Sequence, residues 1–210
     1  MPNWCNNNVT ISHTDSAKLE ALAQAVREGK FCNHVIPVPK ELTETVAGHC
    51  GDGYAQELNQ FKMQLNQKYF GATDWYGFCT SHWGTKWDVD AYEGENVKVE
   101  DGVLEFGFDS AWSPPMGIYE ALVEDGFEVV AYYYEPGMAY VGKYDNGVDE
   151  CFDYGGETSA TVRDVIGDEL DEMFGISDSM AEFEEEEKDD VQVWYEDGVE
   201  KKGLEKHDSK

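Results

Sequence analysis

Val103-Leu104-Glu105-Phe106-Gly107-Phe108 alternates large apolar residues with small or charged ones, the period of two of a half-buried strand. Asp101-Gly102 before it is turn chemistry, and Trp87-Asp88-Val89-Asp90-Ala91-Tyr92 upstream alternates in the same way. The two runs are therefore expected to be neighbouring strands. Downstream, Pro114 and Pro115 mark a helix start, Ile118, Leu122 and Val123 give its apolar stripe, and Gly126 ends it. Phe127 to Tyr134 reads as a further strand. Met138 to Tyr144, the turn Asp145-Asn146-Gly147 and Val148 to Tyr154 follow it.

Working back from that stretch, Asn8-Val9-Thr10-Ile11-Ser12 alternates as a strand, and Asp15 or Ser16 can cap the helix after it. That helix, Ala17 to Glu28, puts Leu19, Leu22, Ala23 and Val26 on one stripe and stops at Gly29. The order strand–helix–strand–strand–helix–strand runs over about 8–12, 17–28, 86–92, 103–109, 115–125 and 127–134. The expected fold class is α+β, with a ferredoxin-like split βαβ core. Residues 31–82 form a helical insertion. Within it Val35 to Pro39 is extended, because a residue before proline is pushed out of the α region. Tyr54 to Tyr69 carries Leu58, Phe61, Leu65 and Tyr69 at helical spacing, and a short helix is expected over Thr73 to Ser81.

The ferredoxin-like domain is expected over 1–144, with 145–210 as an acidic helical and hairpin extension packed on it. Glu157 to Phe174 reads as one amphipathic helix, with Val162, Val165, Ile166, Leu170, Met173 and Phe174 on its apolar side. Ser177 to Asp190 continues as helix, Val191 to Val199 as a closing hairpin, and Lys201 to Lys210 as a frayed end.

Charge separates these parts. The chain of 210 residues holds 44 Asp and Glu against 15 Lys and Arg, a net charge of −29. Residues 1–116 account for 16 acids and 8 bases, and 117–210 for 28 acids and 7 bases. A general nucleic-acid binder is excluded, since phosphate contacts need a basic surface, and anionic membranes are disfavoured for the same reason. With 41% hydrophobic residues and 12 Tyr, 10 Phe and 6 Trp, the chain is too apolar for a wholly disordered acidic protein.

Acid density suggests what the extension could do. Residues 182–190 carry seven acids and Lys188. As a helix that is one net charge per ~2.3 Å, comparable with ~1.7 Å in duplex DNA; as an extended tail it falls to one per ~5 Å. A helical face could imitate a phosphate array for a DNA-binding protein. The candidate partner-binding residues are Asp164, Asp168, Glu169, Asp171, Glu172, Glu182, Glu184, Glu185, Glu186, Glu187, Asp189 and Asp190. The plain alternative is a solvated face or flexible tail.

Catalytic and metal chemistry find little support. Cys32 near His34, His49 beside Cys50, and Cys79 three before His82 lack the paired ligand hooks of zinc modules. Asp145 to Asp149 lacks the EF-hand spacing, and Gly48 to Gly53 has no phosphate-loop Lys-Ser/Thr. No residue is assigned a catalytic role, and no metal or cofactor is expected. Five widely spaced cysteines with no C-x-x-C fit reduced thiols, and the N-terminus is not a signal peptide. Both point to the cytoplasm. His82-Trp83-Gly84-Thr85-Lys86-Trp87 and Ala111-Trp112-Ser113-Pro114-Pro115 are distinctive aromatic clusters that either plug a core edge or line a pocket. Lys86 is expected to pair with an acid such as Asp88 or Asp109.

Four motifs in register carry a family resemblance: Met1-Pro2-Asn3-Trp4-Cys5-Asn6-Asn7, Ile36-Pro37-Val38-Pro39-Lys40-Glu41-Leu42, Trp83-Gly84-Thr85-Lys86-Trp87 and Phe108-Asp109-Ser110-Ala111-Trp112-Ser113-Pro114-Pro115. Over residues 1–143 the chain resembles the YubB-type ferredoxin-like family of bacteriophages and conjugative plasmids. The resemblance implies a mobile-element origin and a structural role for Asn3, Trp4, Cys5, Trp83, Gly84, Lys86, Trp87, Trp112, Pro114 and Pro115. It supplies no reaction. The expected function is a non-enzymatic anti-defence inhibitor in a host bacterial cell, whose acidic, DNA-mimicking face binds a basic, nucleic-acid-handling host protein. The alternatives are a small-ligand-binding or enzymatic domain using the Trp83–Trp87 and Trp112–Pro115 clusters, and a structural or assembly protein that pairs into homodimers through sheet edges.

Overall fold

The computed structural model describes residues 3–189, 191–196 and 199–204, with side chains as far as Glu186, Glu95 excepted. Asp190 of the expected acidic run, Asp197 and Gly198 of the closing turn, and residues 205–210 lie outside the described residues. The chain forms two compact units, one ending at Cys151 and one beginning at Phe152.

The first unit is α+β, built on an antiparallel sheet whose strands lie in the order β2-β3-β1-β4-β5-β6. They are β1 (Trp4–Ser12), β2 (Val99–Glu100), β3 (Val103–Ala111), β4 (Glu128–Glu135), β5 (Tyr140–Asp145) and β6 (Val148–Asp153), the last crossing into the second unit. Central β1 pairs with β3 on one side and β4 on the other, so Val9 lies between Phe106 and Ala131. Alternation works as read: Cys5, Asn7, Val9 and Ile11 are buried and their neighbours are not. The strand starts earlier than its apolar residues suggest, because buried Asn7 is fully engaged. Its amide donates to Ser110 Oγ and accepts from the Tyr119 hydroxyl.

Helices α1 (Ser16–Arg27) and α6 (Met116–Glu124) cover one sheet face. Asp15 caps α1, accepting from Ala17 N at 2.9 Å. Leu19, Leu22 and Val26 of α1, Ile118 and Leu122 of α6, and Leu104, Phe108 and Val129 of the sheet form the core. Each such side chain contributes about 1.5–3 kcal/mol on burial. Between α1 and β2 lie α2 (Phe31–Val35), α3 (Lys40–Thr43), α4 (Tyr54–Phe70) and α5 (Trp75–His82), the expected helical insertion.

One expected strand does not form. Trp87 to Tyr92 makes only an isolated bridge, Ala91 to Phe108, and the edge strand is Val99–Glu100. The alternating acid Asp88 has other work: its carboxylate accepts from Cys32 N at 2.7 Å and Asn33 N at 3.0 Å, closing the start of α2. Burial raises its pKa, and those backbone donors offset part of the rise.

In the second unit the single amphipathic helix is two: α7 (Val162–Ile166) and α8 (Asp168–Phe174). They break at Gly167, whose φ of 82° and ψ of 162° only glycine adopts readily. Helix α9 (Ile176–Asp189) follows, and α7, α8 and α9 pack on one another. Strands β7 (Val191–Glu196) and β8 (Val199–Leu204) form the hairpin, and pairing reaches Leu204 opposite Val191, into the stretch expected to fray. Among the described residues no helix is long and apolar enough to cross a membrane.

Candidate functional site

Two surfaces carry the residues singled out from sequence. The first is a corner of the sheet unit where three stretches far apart in the chain converge. The start of β1 meets the end of β3 through Trp112 N, which donates to Asn3 O at 2.9 Å. The loop after α5 meets the same strand end through Thr85: its hydroxyl accepts from Ala111 N at 3.0 Å and donates to Ala111 O at 3.2 Å. Ser113 Oγ donates to Gly84 O, and Ser110 Oγ donates to Ser113 O at 2.8 Å.

Part of the motif set is spent on holding this corner. Trp83 is buried, its indole N–H donating to Ile36 O at 2.9 Å. Gly84 has φ of +86°, and a Cβ there would stand 3.1 Å from both Met116 N and Pro114 O. Pro114 and Pro115 are buried, as is Cys5, whose thiol pKa burial pushes up to about 12. These residues pack.

The rest faces outward. Trp4, Trp87 and Trp112 are exposed, and Tyr76 of α5 joins them. Lys86 places its ammonium 4.3 Å from the Trp87 ring centre, 5.4 Å from Tyr76 and 5.6 Å from Trp112. The expected pairing of Lys86 with an acid gives way to this aromatic surround. Asp88 is occupied by the start of α2, and Asp109 accepts from the Tyr92 hydroxyl at 2.6 Å. Each such cation–π contact contributes about 0.5–1 kcal/mol at an exposed site.

Trp112 holds a left-handed φ of +69°. A bulky L-residue there costs about 1–2 kcal/mol. Two hydrogen bonds fix it: its N–H to Asn3, and its carbonyl accepting from the Tyr140 hydroxyl at 2.7 Å. Beside it lies an open, mainly apolar cavity of about 550 Å³, lined by Asn3, Trp112, Pro114, Met138, Tyr140 and Cys151 among others. A second cavity, about 390 Å³, lies against Trp4 and Trp87 with Asp90 and Asp109 at its edge. Tyr76, Tyr92 and Tyr140 have no local sequence signal. Only folding brings them to the tryptophans.

Asp164, Asp168, Glu169, Glu172, Glu182, Glu185 and Glu186 are exposed on the second unit. On α9, Asp178, Glu182 and Glu185 recur at i, i+4, i+7 and share one stripe with Glu186 beside it. Of Glu187 and Asp189 only the backbone, within α9, is described. Of the expected contact acids, Asp171 and Glu184 are drawn inward, and Asp168, though exposed, lies 3.7 Å from Arg163 Nε in an ion pair. Asp171 is buried: Arg163 Nε donates to it at 2.8 Å, Ser177 N at 2.7 Å and Ser177 Oγ at 2.8 Å. Burial alone raises its pKa, but the Ser177 and Arg163 donors outweigh it and hold the carboxyl below its ordinary value. Asp171 is thus withdrawn from the acidic face. Glu184 is half-buried and accepts from both Ser159 N and Ser159 Oγ, each at 2.8 Å.

Among the described residues no group of three or more His, Cys, Asp or Glu is placed to hold a metal ion. His82 stacks on Phe78, with ring centres 4.1 Å apart. All five cysteines are free thiols.

No family model matches the chain, and the comparison with curated proteins finds no match. Among solved structures the chain is similar to the crystal structure of a protein api92 from Yersinia pseudotuberculosis, family-model DUF1281. The TM-score is 0.39 at 11% identity, covering 75% of this chain and 99% of that one. Likeness at that level carries no argument about fold or function.

Proposed function

We propose that this chain is a non-enzymatic inhibitor from a mobile element, acting in the cytoplasm of a bacterial host. Its acidic face occupies the nucleic-acid-binding surface of a basic host defence or DNA-processing protein. The observation that supports the reading is the order of the acidic segment: α9 is helical through Asp189. A flexible tail would dilute its charge. Asp178, Glu182, Glu185 and Glu186 project from one face over a rise of ~12 Å, one charge per ~3 Å. One DNA strand carries a charge per ~3.4 Å. Exposed Asp164, Asp168 and Glu172 on the neighbouring helices extend the field. We read the sheet unit as a ferredoxin-like core; the order β2-β3-β1-β4, with α1 and α6 between its strands, supports that reading, with β5 and β6 added to it.

A DNA mimic competes with DNA and inherits its salt dependence. Binding of a basic, DNA-handling partner is expected to weaken by orders of magnitude between about 50 and 200 mM salt and to be displaced by duplex DNA. Glu182→Gln/Glu185→Gln/Glu186→Gln is expected to lose most of it. A partner retained equally by that variant, or insensitive to salt, sinks the proposal.

A second reading is favoured by one observation, the strained and exposed Trp112 beside the cavity of about 550 Å³. Strain fixed by the surrounding structure is characteristic of binding sites. In this reading the corner holds a small, largely apolar ligand between Trp112, Met138 and Tyr140. Quenching of tryptophan fluorescence that vanishes in Trp112→Gly supports it; binding that persists in that variant removes it.

A further inference from the structure

Helix α4 is built the wrong way round for a helix serving its own core. Its buried positions are Asn59 and Asn66. Asn59 accepts from Val46 N at 3.1 Å and donates to Val46 O at 3.0 Å. Asn66 donates to Thr45 Oγ1 at 2.9 Å and to Thr73 O at 3.0 Å. Polar tethers therefore hold α4 to the loops on either side. Phe70 at its end packs on Leu42 and Phe78, and Met63 is half-buried beside Asn59. The other large apolar residues, about a third of a turn from the asparagines, point to solvent. Tyr54 is 78% exposed, Leu58 42%, Phe61 57%, Leu65 39% and Tyr69 69%.

We propose that this stripe is the interface of a parallel, two-fold symmetric dimer of the chain. The spacing favours a helical partner: Tyr54, Leu58, Phe61 and Leu65 succeed one another by four, three and four, the alternation of d and a positions in a heptad seam. In that frame Glu57 falls at g and Lys62 at e. A parallel two-fold pairing sets Glu57 of each copy against Lys62 of the other, giving two ion pairs across the seam. An antiparallel register pairs like positions and brings no acid to Lys62. The charge balance also favours self-pairing here. Within α4 the charged residues are Glu57, Lys62 and Lys68, and Glu41 and Glu44 lie beside Lys62, Leu65 and Tyr69. The face is thus close to neutral, and two copies meet with little of the repulsion that a net charge of −29 imposes elsewhere.

The area is sufficient. Three aromatic side chains of about 150–250 Å² each, exposed to the extents given, and two leucines supply roughly 500 Å² per protomer. About 1,000 Å² in total reaches the lower bound for a specific interface, the size range of weak, transient pairs.

Sedimentation equilibrium of the full chain, from about one to a few hundred micromolar, tests this. The wild type is expected to dimerise with a micromolar Kd. Phe61→Asp, at a site already exposed, is expected to be monomeric with an unchanged circular dichroism spectrum. Glu57→Lys is expected to weaken the dimer at least about tenfold, and Glu57→Lys/Lys62→Glu to restore it. A wild type that stays monomeric overturns the proposal. So does a dimer indifferent to Phe61→Asp, or a double reversal that fails to rescue. A monomer that binds anionic vesicles through the stripe overturns it too and assigns the face to a membrane.

Discussion

Ser159 donates both its backbone N–H and its hydroxyl to the Glu184 carboxylate, each at 2.8 Å, tying α9 to the loop that leads into α7. One acid in a dense acidic run is therefore structural while its exposed neighbours are free of that duty. Glu184→Gln is expected to lower the stability of the second unit by about 1–2 kcal/mol, since it weakens charge-assisted bonds. Glu182→Gln and Glu185→Gln, both exposed, should change it by less than about 0.5 kcal/mol. Urea denaturation followed by circular dichroism separates the two.

Asp171 gives this unit an acid-sensitive joint. Its folded pKa lies below the ordinary carboxylate value, so its contribution is present above the unfolded pKa near ~3.9 and is lost as pH falls through the folded value. Asp171→Asn is expected to cost about 2 kcal/mol at neutral pH. The gap between variant and wild type should close below about pH 4. A gap independent of pH contradicts the assignment.

The thiols should divide by burial. Cys5 and Cys79 are both pushed up to about 12 by burial, and burial, with Asp88 beside it, also raises Cys32 well above its ordinary value. Cys151 is exposed and Cys50 half-buried. At pH 8 a thiol reagent is expected to react quickly with Cys151, more slowly with Cys50, and with the other three only after denaturant is added. Fast reaction of Cys5 or Cys32 in the native protein counts against this arrangement of the core.

Trp112 separates packing from binding. Glycine there relieves the left-handed strain but adds about 0.5–1 kcal/mol of unfolded-state entropy and removes an exposed ring. Trp112→Gly is expected to change stability by less than about 1 kcal/mol. A loss of 3 kcal/mol or more, the cost of deleting a core aromatic, makes Trp112 a packing residue.

Sequence pattern revealed what local periodicity controls. The alternation in β1 and β3, the Asp15 cap and the stripes of α1 and α6 were all readable, because burial on one face imposes them. The pattern misled where one side chain had a non-local use. Trp87 to Tyr92 alternates, yet Asp88 serves the start of α2 and the strand is not made. Gly167 was a visible break inside a continuous apolar stripe, and the backbone used it. The acidic run was plain, but which acids stay on the surface was not: Asp171 is drawn in by Arg163 and Ser177, and Glu184 by Ser159, all contacts made in space. The spacing on α4 marked a helix and gave no sign that its apolar stripe faces outward. That depends on Thr45, Val46 and Thr73, which receive Asn59 and Asn66.

The most direct test of the acidic-face account is affinity capture from bacterial lysate on the full chain, eluted first with duplex DNA and then with salt. The Glu182→Gln/Glu185→Gln/Glu186→Gln variant runs alongside. The account predicts a DNA-binding protein retained at low salt, released by duplex DNA and absent from the variant. Retention of the same proteins by the variant, or release by neither DNA nor salt, contradicts it.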